Sequence, residues 1–89
     1  MENKDLIVGH CYKSKRPRRV FMGLYDFFDD RQVIWTNGYY VQYDSPTIKF
    51  GQNYKKITVE EFLKWADEDI TDIMPKDDWR EWEAQPNDR

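Results

Sequence analysis

The sequence predicts a mainly β domain of α+β type: a small, strongly bent five-stranded antiparallel sheet with a helix near the C-terminus. Three observations carry that expectation. Residues 32–44, QVIWTNGYYVQYD, are two β-rich runs joined by Asn37-Gly38, a pair suited to a type I′ hairpin turn. Thr58 and Glu61 form a capping box at the head of an apolar-periodic run. Between and before them lie short extended stretches at close spacing, separated by turn residues.

Residues 1–5 are polar and expected to fray, and residues 6–12 form the first strand candidate. Residues 13–19, KSKRPRR, make a basic linking loop in which Pro17 pushes Arg16 towards an extended conformation. In residues 20–25, Val20, Met22 and Leu24 share one face and Phe21 and Tyr25 the other. This predicts a central strand covered on both sides, with Gly23 allowing a bulge or a close neighbour. Residues 26–31 read as a turn carrying Phe27 and Phe28 and a polar Asp29-Asp30 tip.

A two-residue loop at Asn37-Gly38 pairs Thr36 with Tyr39 and sets the register below it. Ile34 then faces Val41 and Gln32 faces Tyr43 on the core side. Trp35 faces Tyr40, Val33 faces Gln42 and Arg31 faces Asp44 on a partly wet side. Ser45-Pro46 breaks the second strand, residues 47–50 resume extended chain with Ile48 and Phe50 on one face, and residues 51–53 turn. After the Thr58 cap, Val59, Phe62, Leu63, Ala66, Ile70 and Ile73 recur at helical spacing up to the break at Pro75. Asp77 is expected to cap a last short turn bearing Trp79 and Trp82, and residues 85–89 to fray. These elements suit a small SH3-like barrel with a C-terminal helix, or an open α+β sheet with one helix.

With 89 residues the chain makes one domain, over residues 6–84, with strands in about 6–57 and helical segments in about 59–84. Aromatics at 17% must supply much of the buried area, because hydrophobic residues total only 39%. The lone Cys11 has no disulfide partner, and neither a membrane span nor a signal-peptide pattern is visible, so the expected compartment is the cytoplasm. The net charge of −3 conceals a split. Residues 1–57 hold ten Lys/Arg against six Asp/Glu, and residues 58–89 hold four against eleven. A pI near 5.1 argues against a dedicated sequence-independent nucleic-acid binder, yet leaves room for a local basic site.

Catalytic signatures are weak. His10 and Cys11 are adjacent and point to opposite faces of a strand, so structural roles are expected for both. Asp67, Glu68, Asp69 and Asp72 lack the glycine and alternation of a calcium loop, and the isolated glycines make no phosphate loop. The expectation is a non-enzymatic protein without cofactor or metal.

Two surfaces qualify for binding. The acidic residues Glu60, Glu61, Asp67, Glu68, Asp69 and Asp72, extended by Asp77, Asp78, Glu81 and Glu83, would face a basic protein partner, with Trp79 and Trp82 as anchors. Lys13, Lys15, Arg16, Arg18 and Arg19, with Trp35 and Tyr40, would instead make a basic and aromatic surface for single-stranded nucleic acid. The segments RRVFMGLYDF, RQVIWT, YYVQYD and ITVEEFLKWADEDI together resemble, in layout, the small SH3-like proteins encoded by bacteriophages and mobile elements. That resemblance spans roughly residues 7–73 and implies an inhibitor or adaptor docking on a host nuclease or defence protein. Protein docking through the acidic face is therefore the first expectation, and nucleic-acid binding the alternative.

Overall fold

The computed structural model describes residues 6–48 and 51–82. Its strands are β1 (Cys11–Ser14), β2 (Arg19–Met22), β3 (Tyr25–Phe28), β4 (Arg31–Thr36), β5 (Tyr40–Asp44), β6 (Lys55–Thr58) and β7 (Ala66–Asp69). The helix α1 (Val59–Trp65) joins β6 to β7, and a 3₁₀ turn (Thr71–Ile73) follows. Five strands form one antiparallel sheet in the order β6-β5-β4-β1-β7, while β2 and β3 form a separate two-stranded ribbon. The mainly β, antiparallel architecture with one helix is thus as expected. Closure is not: among the described residues β6 and β7 do not pair, so both remain edges and the sheet is not a closed barrel.

The core collects Leu6, Tyr12, Val33, Val41, Tyr43, Val59, Phe62 and Ala66. Phe62 is fully buried, meeting Tyr12 edge-on at 5.8 Å between ring centroids and Tyr43 at 5.9 Å. Such ring contacts contribute beyond area burial, which suits a chain with few aliphatics.

The 37–40 loop is longer than expected. Thr36 pairs with Val41, leaving four residues between them. Asn37 Oδ1 accepts the amides of Tyr39 (2.9 Å) and Tyr40 (2.8 Å), and only Gly38 in the loop has a positive φ, +92°. A type I′ turn needs positive φ at both central residues, so the Asn37 side chain has organised a different turn. The register consequently shifts: Val33 faces Tyr43, Gln32 faces Asp44, and Arg31 lies opposite Tyr12 on β1. Val33 rather than Ile34 enters the core. An irregularity between Val33 and Trp35 then restores Trp35 to the outer side, opposite Gln42. Gly38 remains a sensitive position. Gly38→Val should cost about 1 to 3 kcal/mol in a urea titration, because a β-branched side chain is strained at that φ.

Other boundaries move for identifiable reasons. The first strand begins at Cys11, because residues 7–10 form a turn in which the His10 amide donates to the Ile7 carbonyl at 3.0 Å. The expected central strand at 20–25 is instead the end of β2, a turn and the start of β3 in the separate ribbon. Met22 pairs with Tyr25 around Gly23 (φ +85°), and Phe21 and Leu24 are 71% and 95% exposed. The Asp29-Asp30 tip is no polar turn tip on its second residue, since Asp30 is 1% exposed. Residues 45–48 turn rather than extend, with the Ile48 amide donating to the Ser45 carbonyl, and Phe50 lies outside the described residues.

The helix starts where its capping box places it: Thr58 Oγ1 accepts the Glu61 amide at 3.1 Å, and Glu61 Oε1 accepts the Thr58 amide at 3.5 Å. It stops at Trp65 because β1 recruits the chain. The Lys15 amide donates to the Trp65 carbonyl (2.9 Å), Ala66 pairs with Ser14, and the Ile70 amide donates to the Cys11 carbonyl (2.8 Å). Ala66 and Ile70 are both buried, and because residues four apart share a face of an extended chain as well as of a helix, their spacing imitates a helical one. Ile73 is exposed. Asp77 caps no helical turn; it sits at φ 57° in the bend before Trp79.

Candidate functional site

The basic loop after β1 is stapled at both ends. Ser14 Oγ accepts the Arg16 amide (3.0 Å), the Lys15 amide is held by Trp65, and Arg18 and Asp29 exchange two bonds of 3.1 Å: Arg18 N–H to Asp29 Oδ1, and Asp29 N–H to the Arg18 carbonyl. Ser14 Oγ is spent on the backbone. The loop therefore presents its cations from a fixed frame, over a groove of about 530 Å³. Lys15, Arg16, Arg18, Arg31, Lys64 and Trp65 line it, with Asp29 as its one carboxylate.

Arg31 is the structural surprise. Its guanidinium lies 4.1 Å from the Trp65 ring centroid and 4.3 Å from that of Tyr43, so it is held by two aromatic faces. Burial pushes its pKa below the usual arginine range, with Tyr43 and Asp29 acting in the opposite direction. No carboxylate among the described residues comes within ion-pair distance of Arg31, Lys15, Arg16 or Arg18. Lys64 reaches Glu60 at 3.6 Å, but both side chains are largely exposed and such a pair is weak.

Two members of the expected basic set are consumed elsewhere. Lys13 pairs with Asp67 (3.5 Å) and Glu68 (3.1 Å), and Arg19 pairs with Asp26 (3.6 Å) while covering the Phe21 ring at 4.5 Å. Trp35 and Tyr40 share Lys56, whose Nζ lies 5.8 Å and 4.9 Å from the two ring centroids. Trp35 does not line the basic groove; Trp65 takes that place. Tyr40 lines a neighbouring depression with Tyr39 and Leu63.

The acidic set is not one helical stripe. Glu60 and Glu61 lie in the first turn of α1, Asp67, Glu68 and Asp69 on β7, and Asp72 in the 3₁₀ turn. All six are exposed, and five have intrachain partners: Glu60 with Lys64, Glu61 in the cap, Asp67 and Glu68 with Lys13, and Asp69 with His10 and Thr71. Burial pushes the Asp69 carboxyl up, but the hydrogen bonds from His10 and Thr71 prevail and hold it below the usual carboxylate range. Asp77 and Asp78 stand in the bend before Trp79, Glu81 bridges to Phe27, and Glu83 lies outside the described residues. Trp79 and Trp82 are both half-buried, Trp82 meeting Phe28 at a tilt of 46° with 4.6 Å between ring centroids.

Cys11 is buried, and its thiol is pushed up to about 11 by burial first and then by Asp30 and Asp69, which suppresses thiolate chemistry at neutral pH. Among the described residues no three His, Cys, Asp or Glu side chains converge as a metal site, and no helix is long and apolar enough to cross a membrane. Sequence reasoning missed Arg31, Lys64 and Trp65 as groove residues. Trp65 carried a usable signal, standing off the apolar stripe of its helix next to a basic residue. Comparison with protein-family profiles, with curated proteins and with solved structures finds no match.

Proposed function

We propose that this protein is a non-catalytic nucleic-acid-binding module whose basic groove takes the phosphate backbone. One observation carries the reading: Lys15, Arg16, Arg18 and Arg31 converge on a groove that Trp65 and a single carboxylate, Asp29, also line, while Asp26, Asp30, Glu60, Asp67 and Glu68 pair with other cations. Cations with no carboxylate at ion-pair distance, held on a stapled loop and a neighbouring strand beside an aromatic ring, suit a polyanion. The acidic net charge weakens long-range attraction, so binding is local and salt-sensitive rather than indiscriminate. The order β6-β5-β4-β1-β7, with α1 connecting the two edge strands, supports reading the fold as an SH3-like barrel left open between β6 and β7.

The test is fluorescence anisotropy with a short labelled oligonucleotide across a potassium chloride series. Lys15→Ala, Arg16→Ala and Arg18→Ala should each reduce the salt slope by about 0.7 for a single strand, whereas Lys76→Ala should not. Absence of binding at low salt would sink the proposal.

A second reading has its own support. β7 is an edge strand whose three acids are exposed, a place where a basic extended segment of a host protein could add to the sheet. An inhibitor or adaptor of the kind encoded by mobile elements would dock there. Glu60→Lys, Glu61→Lys, Asp67→Lys and Glu68→Lys together would abolish such docking and leave oligonucleotide affinity unchanged or raised.

A further inference from the structure

We infer that the depression beside the basic groove is a pocket for a single unstacked nucleobase. The inference rests on the nucleic-acid reading above and deepens it. Lys15 and Lys64 line both depressions, so the two are continuous through a pair of cations. Their characters differ. On one side of the pair stand three arginines, Arg16, Arg18 and Arg31, with one carboxylate, Asp29; on the other, a space of about 580 Å³ is bounded by Tyr39, Tyr40 and Leu63, with the carboxylate Glu60 and no arginine.

That division assigns the parts of a nucleotide. Three arginines outweigh Asp29 on the basic side, whereas Glu60 meets no arginine on the other, so a strand seated on Lys15 and Lys64 directs its backbone towards the arginines and a neutral ring towards the tyrosines. The tyrosines are presented in advance. Tyr39 is 80% exposed and Tyr40 45%, yet their backbone is fixed by the Asn37 side chain and by the Val59 amide, which donates to the Tyr39 carbonyl at 2.8 Å. A turn held in this way loses little freedom when a ring stacks on it. Gly38 keeps the approach open, since a Cβ there would meet nothing within 4 Å. A base can reach this space only when it is unpaired, so the pocket selects single strands over duplexes.

Anisotropy with the full chain separates the pocket from the groove. The probes are a labelled oligothymidylate, an abasic strand of equal length and a duplex of equal length. The single strand should bind about 10-fold more tightly than the abasic strand, a typical value for one stacked base. Tyr39→Ser, at an exposed site, should remove that difference while leaving the salt slope unaltered. Arg16→Ala should weaken oligothymidylate and abasic strand alike. If the abasic strand or the duplex binds as tightly as the single strand, the base pocket is refuted and the phosphate groove stands; if no probe binds, both are refuted.

Discussion

Arg80→Ala should lower the unfolding free energy by about 3 to 5 kcal/mol, the cost typical of leaving a buried charge without its partner. Asp30 is 1% exposed, and Arg80 grips its two oxygens, Nε to Oδ2 at 2.7 Å and Nη2 to Oδ1 at 2.8 Å. The same guanidinium lies 3.9 Å from the centroid of Phe28, which Trp82 covers from elsewhere. The backbone continues the attachment: the Phe28 amide donates to the Arg80 carbonyl and the Trp82 amide to the Asp26 carbonyl. Residues 80–82 therefore fasten the β2–β3 ribbon, and removing Arg80 strands a carboxylate and loosens that ribbon together. Urea denaturation of Arg80→Ala, Asp30→Ala and the double variant checks this. The double variant should lose less than the sum of the singles, because the second substitution removes the stranded group. A loss below about 1 kcal/mol in Arg80→Ala would mean that water compensates Asp30.

Arg31→Met should reduce oligonucleotide affinity about 10- to 100-fold, the range expected for one charged hydrogen bond, while changing stability by less than about 1 kcal/mol. The thioether side chain can fill the space between Tyr43 and Trp65, and the substitution removes a cation whose burial is unfavourable and which Asp29 offsets only in part. Arg31→Ala should differ, losing about 2 to 3 kcal/mol of stability along with the affinity, because the sandwich contacts and their volume both vanish. The contrast separates a structural arginine from a binding one. If Arg31→Met unfolds the protein while affinity per folded molecule is unchanged, the guanidinium serves packing alone.

Local signals were legible in the sequence and distant ones were not. The Thr58–Glu61 cap depends on residues three apart, so the start of α1 could be read; its end depends on Lys15 and Ser14, some fifty residues earlier. Asn37-Gly38 marked a turn correctly, but the hydrogen bonds that Asn37 Oδ1 accepts from Tyr39 and Tyr40 chose a longer loop, and one residue of slip exchanged Ile34 for Val33 in the core. The arginines of the basic loop could be listed from sequence. Their union with Arg31 and Trp65 could not, because it requires β1, β4 and the end of α1 to meet at one place. Asp30 and Arg80, fifty residues apart, left no local trace at all.

The position of β1 between β4 and β7 bears on how the chain is born. Tyr12 pairs with Asp69, so the first strand waits for 57 further residues before its outer neighbour exists. At synthesis rates of about 5 to 20 residues per second, that interval is about 3 to 11 s. Throughout it one flank of β1 stays unpaired on the ribosome, and the contacts that finish the sheet span most of the chain, which favours folding on completion over folding by stages. A nascent chain halted before Trp65 would carry the arginine-rich loop without the carbonyl that restrains it, and the groove would exist only once translation has passed the helix.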